Sequence, residues 1–198
     1  LSPHSVRTGS YCKARQRLPV EMIASLVRCT GDLIDTQVPT RWRWQGRPVR
    51  LIDGTTITLP DTPENQAAYP QPASQAPGLG FPICRVVAVV CLSSGGVMNA
   101  AMGPYKGKGA DEQTLLRGIL DTFSAGDIAV GDAYYATYFL LADLQARGVD
   151  VVFEQNGQRR KSTDFRCGRK LGQCDHVIEY TKPVKKPDWM TQSQYRDV

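Results

Sequence analysis

Residues 84–92 read CRVVAVVCL, a nearly unbroken run of β-branched and apolar side chains. The turn SSGG at 93–96 ends this run, and VMNAAM at 97–102 follows as the partner strand of a hairpin. A strand this apolar is predicted to be buried on both faces. This strand is therefore expected at the centre of the predicted sheet.

The elements on either side of this hairpin alternate between strand and helix patterns. Upstream, a strand over 49–57 ends on or passes through Asp53, and a long irregular connection with six prolines follows at 60–82. Downstream, the patterns predict a helix, a strand ending on Asp132, a second helix and a last strand, at 111–123, 126–132, 136–147 and 149–154. This order predicts an α/β fold with a sheet flanked by helices.

The N-terminal part begins with a helical pattern that has Pro19 at its first position. Four apolar residues at helical spacing predict one buried stripe: Met22, Ile23, Leu26 and Val27. Residues 40–47, TRWRWQGR, alternate basic and aromatic side chains, as the edge of a strand or hairpin would. We expect the tryptophans to pack; the other interpretation is that they stack on bases while the arginines meet phosphates.

Charge divides the chain into three segments. Residues 1–48 form a basic N-terminal region with the short helix, 49–155 the α/β core, and 156–198 a basic, β-leaning segment that resembles an insertion. The net charge is +6 over 1–50, −6 over 51–155 and +5 over 156–198. Basic flanks suit a polyanion such as DNA, and an acidic centre would repel DNA unless divalent cations neutralised it. Ordinary solvated surface charge explains the same counts equally well.

Composition excludes several classes of protein. No run approaches the roughly 18 apolar residues of a membrane span, and no signal pattern begins the chain, so we expect a soluble, cytoplasmic protein. Its six cysteines are scattered, and two lie in the apolar run at 84–92. Buried thiols in a reducing compartment are therefore expected, not a disulfide framework.

Two aspartates stand at the ends of predicted core strands, Asp53 before Gly54 and Asp132 after Gly131. If their strands are neighbours, both carboxylates can bind Mg²⁺ or Mn²⁺, which prefer hard oxygen ligands. Two such ions can activate a water or a 3′-hydroxyl for displacement at a phosphodiester. The structural alternative is that Asp53 forms an Asx-type turn and Asp132 caps the following helix.

Three motifs resemble the DDE-class transposases of the insertion-sequence-four family. They are LIDGT at 51–55, GPYKGKGADE at 103–112 and GDAYYA at 131–136, and the resemblance extends over about residues 45–155. It implies a ribonuclease H-like fold in which Asp53 and Asp132 are the first and second metal-binding aspartates, with Mg²⁺ or Mn²⁺ as cofactor. It also implies a partner, the double-stranded DNA of transposon ends and target, and a homodimer during synapsis at the nucleoid.

The activity implied by the resemblance is cleavage of one strand at a transposon end, followed by strand transfer through attack of the freed 3′-hydroxyl. The third carboxylate of the family is a glutamate in a spaced Tyr, Arg, Glu, Lys motif after a β-rich insertion. We find no such motif, so we expect the chain to stop within the insertion and the third carboxylate to lie outside it. This leaves two alternatives open, an inactive DNA-binding remnant and a ribonuclease H-like nuclease without transposition.

Several basic residues are candidates for contacts with the DNA backbone, against the alternative of plain solvated charge. They are Arg41, Arg43, Lys106, Lys108, Arg159, Arg160 and Lys161. Lys106 and Lys108 lie in a glycine-rich turn that lacks the ending of a nucleotide-binding loop. Cys167, Cys174 and His176 lack the paired spacing of a zinc site, so idle thiols are favoured there.

Overall fold

Strands and short helices alternate through most of the chain. The structure is a computed structural model that describes residues 8–107, 109–155, 168–173 and 175–198. In chain order the elements are α1 (Gly9–Gln16), α2 (Val20–Thr36), β1 (Val49–Thr58), α3 (Pro63–Ala68), β2 (Ile83–Cys91), β3 (Val97–Pro104), α4 (Glu112–Arg117), β4 (Ile128–Gly131), α5 (Tyr138–Ala146), β5 (Asp150–Phe153), β6 (Arg169–Lys170), β7 (His176–Val177) and α6 (Gln192–Asp197).

One mixed sheet contains β1 to β5, in the order β3-β2-β1-β4-β5. β1, β2 and β3 pair antiparallel, and β4 and β5 continue the sheet parallel to β1. The connections explain this change of direction, because a hairpin joins β2 to β3 whereas parallel neighbours need a crossover through a helix. The predicted α/β class, with a sheet flanked by helices, is confirmed.

The two faces of the sheet differ in burial. One core unites Ile52 of β1 and Val87 of β2 with Leu116 of α4 and Leu140 of α5, all buried. The alternate residues point to the other face, where Val86, Ala88 and Val90 of β2 are only half-buried. The prediction that β2 is buried on both faces is therefore correct for one face only, because the described helices α4 and α5 pack against that face.

α2 packs against β3 through small side chains, not through its apolar stripe. Met22, Ile23 and Leu26 are 49%, 45% and 65% exposed, so the predicted buried stripe is wrong. Gly31 is the buried residue of this helix, and a Cβ there would overlap with the carbonyl oxygen of Val97 and lie 3.0 Å from the Cα of Met98. The close approach of helix and strand selects the face with Gly31, because larger side chains would hold the two backbones apart.

A buried charge network links α2 to the sheet beneath it. Arg50 of β1 is 6% exposed, and its guanidinium donates to Asp35 of α2 at 3.0 Å and to Asp127, just before β4, at 3.4 Å. The Cys91 thiol and the Ser124 amide donate to the same two carboxylates. A buried arginine is costly unless paired, so Arg50 requires α2 and the start of β4 to sit beside β1.

Three further sequence predictions concern residues 40–47, the helix over 111–123 and the cysteines of β2, and only the last is fully confirmed. Residues 40–47 form a 3-10 turn and a tight turn instead of a strand edge, and Trp42 and Trp44 are 59% and 55% exposed, so the expectation that they pack is wrong. The helix predicted over 111–123 is interrupted, since α4 ends before Gly118 and a separate 3-10 turn covers Leu120–Thr122. The buried state of the Cys84 and Cys91 thiols is confirmed.

The described C-terminal residues contain only short elements. β6 and β7 form a two-stranded sheet, and α6 begins with a capping box at Thr191. Trp189 lies against Phe139 of α5 and stacks on the Arg117 guanidinium at 4.2 Å. This segment therefore rests on α4 and α5. Within the described ranges, no helix combines the length and the hydropathy needed to cross a bilayer.

The tight contact at Gly31 predicts that Gly31→Ala lowers the free energy of unfolding by about 1–3 kcal/mol, because the added methyl must push α2 away from β3. Urea titration followed by circular dichroism measures the effect. Gly9→Ala is the matched control, since a Cβ at Gly9 has no neighbour within 4 Å. Equal stability of the two variants would contradict the proposed packing.

The network around Arg50 also predicts how stability depends on pH. Burial alone would raise the pKa of Asp35, but the hydrogen bonds from Arg50 and Cys91 and the charges of Arg50 and Arg43 outweigh it and lower the pKa. A carboxyl with a lowered folded pKa stabilises the fold above its unfolded pKa of about 3.9 and loses this contribution as pH falls through the folded value.

Between pH 7 and pH 3, urea unfolding of Asp35→Asn should therefore show a smaller loss of stability than the unmodified chain, from a lower starting value at pH 7. The control is Asp32→Asn, an exposed position on the same helix. An Asp35→Asn profile parallel to that of the unmodified chain would refute the role assigned to this ion pair.

Candidate metal centre

The pairing of β1 with β4 brings Asp53 and Asp132 together. The last paired residues of these parallel strands are Leu51 and Val130, and each aspartate follows two residues later. Neighbouring strands lie roughly 5 Å apart, and residues two positions apart share a face. β1 continues to Thr58, so Asp53 lies within its strand and not at the predicted end, whereas Asp132 directly follows β4. The register brings these two segments, separated by almost eighty residues of sequence, next to each other.

Each aspartate uses one oxygen for a local hydrogen bond. Oδ1 of Asp53 accepts from the amide of Gly54 at 2.8 Å, and Oδ1 of Asp132 accepts from the amide of Tyr134 at 2.9 Å. The Asx-type contact expected for Asp53 is present, but Asp132 does not cap α5, which begins only after Thr137. Both side chains are exposed, and the described residues place no donor on either Oδ2.

A third carboxylate, that of Glu112 on α4, lies beside this pair. It occupies the space that a Cβ on Gly54 would fill, 2.8 Å from that position to Oε1. Its Oε2 accepts a hydrogen bond from the Tyr135 hydroxyl at 3.2 Å. In the sequence, Glu112 stands out only as the last residue of the motif at 103–112. Its closeness to both aspartate-bearing segments is visible in the tertiary structure alone.

Tyr135 reports the negative electrostatic potential of this region. Its side chain is fully buried. Burial, the charge of Glu112 and the hydrogen bond to it, and then the charges of Asp132 and Asp53, raise the pKa of the Tyr135 hydroxyl far above its usual value. The hydroxyl therefore stays protonated and acts as a donor. The negative charges of all three carboxylates therefore act on the Tyr135 hydroxyl.

The donor set fits a hard divalent cation. Asp53 and Asp132 offer carboxylate oxygens, and Mg²⁺ is typically held by one or two carboxylates together with waters and substrate phosphates. Among the described residues, no group of three or more His, Cys, Asp or Glu side chains is arranged to enclose a metal by itself. A cation held by Asp53 and Asp132 would therefore take further ligands from water or a substrate phosphate.

Arg85 of β2 borders the carboxylates on one side. Its Nη1 donates to the carbonyl of Ala110 at 3.0 Å, its Nε lies 3.9 Å from Oε1 of Glu112, and its guanidinium stacks on the Tyr105 ring. These contacts hold Tyr105 and Ala110 at the same end of the sheet as Asp53. Lys106, next to Tyr105 in the chain, is exposed.

Arg41 and Arg43, which the sequence predicts to contact DNA, lie away from Asp132. The segment that carries Arg41 and Arg43 neighbours the start of β4, away from Asp132, since Arg47 donates to the carbonyls of Gly126 and Asp127. Arg43 donates to the backbone of Asp35. A role for these arginines in DNA binding stays a prediction. Lys108, Arg159, Arg160 and Lys161 lie outside the described residues, as do Cys167 and Cys174.

Comparisons with known proteins point to one family. The model for the transposase DDE domain matches residues 44–193. The transposase InsG for insertion sequence element IS4, from Escherichia coli strain K12, is 27% identical over 93% of this chain and 40% of its own length. The putative transposase InsZ of the same organism is 28% identical over 71% of this chain and 46% of its own length. The chain thus spans less than half the length of these relatives. No solved structure matches it significantly.

The exposure of the two aspartates predicts that they contribute little to stability. Asp53→Asn and Asp132→Asn should unfold within about 0.5 kcal/mol of the unmodified chain in metal-free buffer, because the amide oxygen can accept the same backbone hydrogen bond. Asp127→Asn should lose more, about 1–3 kcal/mol, since it removes one of the two carboxylates that pair with the buried Arg50. Urea unfolding compares the three, and a large loss for Asp53→Asn or Asp132→Asn would assign that residue a structural role.

Proposed function

Because this chain belongs to the family of transposases with a DDE domain, we propose that it forms the part of a DNA transposase catalytic core that carries two metal-binding carboxylates, Asp53 and Asp132. The observation that carries this proposal is their convergence on adjacent parallel strands, two residues beyond the last paired positions. Neither residue is needed for packing, since both are exposed.

We also propose that the sheet belongs to the ribonuclease H-like class. Three antiparallel strands followed by two parallel ones, in the order β3-β2-β1-β4-β5, support this assignment. So does the placement of the acidic residues on β1 and directly after β4. In open sheets of this kind, functional residues gather where neighbouring strands end, because side chains from several strands meet there.

The proposed chemistry is displacement at a phosphodiester of double-stranded DNA, first with water and then with the freed 3′-hydroxyl. Mg²⁺ or Mn²⁺, when bound, supplies Lewis-acid activation of the nucleophile and stabilises the leaving oxygen. Asp53 and Asp132 would hold the cation through their Oδ2 atoms, to which no group in the described part of the chain donates. Tyr135 stays protonated and donates to Glu112, so it holds a proton in place and does not transfer one.

Binding of DNA beside these carboxylates requires positive charge nearby. Lys106 follows Tyr105, which Arg85 holds at this end of the sheet, and we propose that Lys106 contacts the phosphate backbone. Such contacts release counterions, so affinity should fall as salt rises. Pairing of two transposon ends would require at least a dimer, and DNA as substrate would place the protein at the nucleoid.

The central test is Mg²⁺-dependent cleavage of duplex DNA that carries a transposon end. Asp53→Asn and Asp132→Asn should each lower the cleavage rate by about a hundredfold or more, because a metal contributes several kcal/mol to stabilisation of the transition state. Gel analysis of end-labelled DNA measures nicking and joining separately. Asp121→Asn, at an exposed aspartate of the 3-10 turn, is the control and should cleave at the rate of the unmodified protein.

The possible outcomes separate the proposed function from its alternatives. Nicking without joining would identify a ribonuclease H-like nuclease that does not transpose. Salt-dependent DNA binding with no metal-dependent turnover would identify a DNA-binding remnant. Cleavage that survives either substitution at Asp53 or Asp132 would overturn the assignment of these residues.

A further inference from the structure

Glu112 contacts both segments that carry the proposed metal ligands, although it lies on a different element. It is the first residue of α4, whereas Asp53 lies on β1 and Asp132 follows β4. Its side chain is 26% exposed and therefore largely enclosed by the residues around it. This carboxylate makes three contacts that indicate its role: with Gly54 of β1, with Tyr135 after β4 and with Arg85 of β2.

The first contact is with the backbone of β1 at Gly54. The Glu112 carboxylate fills the position of the missing Cβ of Gly54, so a side chain at residue 54 would displace the end of Glu112 from this position. Successive residues of a strand point to opposite faces. Glu112 therefore lies on the face of β1 opposite to the Asp53 side chain and supports the strand from behind, at the residue next to Asp53.

The second contact is with the segment after β4. The Tyr135 hydroxyl donates to Oε2 of Glu112 at 3.2 Å. Tyr135 is fully buried, and its own amide donates to the carbonyl of Asp132. The ring therefore has one position, and Glu112 determines where the turn that carries Asp132 sits relative to β1.

The third contact is ionic. Arg85 Nε is buried without a hydrogen-bond partner in the described part of the chain, and lies 3.9 Å from Oε1 of Glu112. Since Arg85 is itself fixed by the carbonyl of Ala110, its charge attracts the carboxylate from the β2 side. Glu112 is thus held from three directions by groups on β1, on β2 and after β4.

We propose that Glu112 is a positioning residue of the metal centre: it joins the Asp53 and Asp132 segments at the spacing that a divalent cation needs, without being a ligand itself. This inference rests on the proposed function. Side chains that orient metal ligands typically affect metal affinity by tenfold to a hundredfold when removed. The position of Glu112 behind β1 explains why it acts through the backbone.

The test measures Mn²⁺ affinity of the 198-residue chain by electron paramagnetic resonance of the free ion. Glu112→Ala should raise the dissociation constant by about tenfold or more. Glu112→Gln keeps the shape and an acceptor for the Tyr135 hydroxyl, so it should stay within about threefold of the unmodified chain. If Glu112→Gln weakens binding as much as Glu112→Ala, the charge itself is needed and the positioning role is wrong.

A second pair of variants tests the same inference without altering Glu112. Gly54→Ala and Tyr135→Phe each remove one contact and should weaken Mn²⁺ binding, and Gly54→Ala should add little further loss in a Glu112→Ala background. Glu21→Ala, at an exposed glutamate in the first turn of α2, controls for the loss of one negative charge. Circular dichroism verifies that each variant is folded.

Asp53→Asn separates the two proposals. If it leaves Mn²⁺ affinity unchanged, the proposed function fails. If it abolishes binding while Glu112→Ala, Gly54→Ala and Tyr135→Phe all bind as the unmodified chain does, only the positioning role of Glu112 is overturned.

Discussion

The parallel pairing of β1 with β4 is the constraint on which the candidate metal centre depends. Only three residue pairs join the two strands. The register of these pairs determines whether the segments that carry Asp53 and Asp132 lie next to each other. A slip by one residue would turn one strand over and send its aspartate to the other face. Arg50 opposes such a slip, because the guanidinium from β1 must reach Asp127 immediately before β4 and Asp35 on α2.

The same buried arginine explains why the N-terminal helix belongs to the fold. α2 presents exposed apolar residues to solvent and docks through Gly31 and Asp35. The close backbone contact and the ion pair add to the apolar surface that Val27 and Ile34 present toward Val97. Removing either partner of such a pair costs more than the pair contributes, because an uncompensated charge remains in the interior. The arrangement therefore gives specificity of docking more than stability.

The candidate site combines packed residues on one side with exposed aspartates on the other. Tyr135, Gly54 and Glu112 pack together beside the segments that carry Asp53 and Asp132, whereas the two aspartate side chains are exposed. Such a division suits a centre whose cation also contacts a large substrate, because the packed residues fix ligand geometry while waters and phosphates complete the coordination shell. The half-buried face of the sheet, with Val86, Ala88 and Val90, lies on the side of Asp53.

The sequence by itself determined the features that depend on neighbouring residues. The apolar run at 84–92 with its SSGG turn predicted β2 and β3 closely, and the short apolar segments before Asp53 and Asp132 predicted β1 and β4. Such patterns are local, because alternation and turn residues act over a few positions. The motifs around the aspartates likewise identified the family.

Only the tertiary structure decided which surfaces meet. The docked face of α2, the exposure of Trp42 and Trp44, and the ion pairs of Arg50 each depend on a partner elsewhere in the chain. Glu112 shows this most clearly, because its part in the metal centre requires a glycine on β1, an arginine on β2 and a tyrosine after β4. No local pattern contains that information, since those three residues come together only when the parallel register of β1 and β4 has formed.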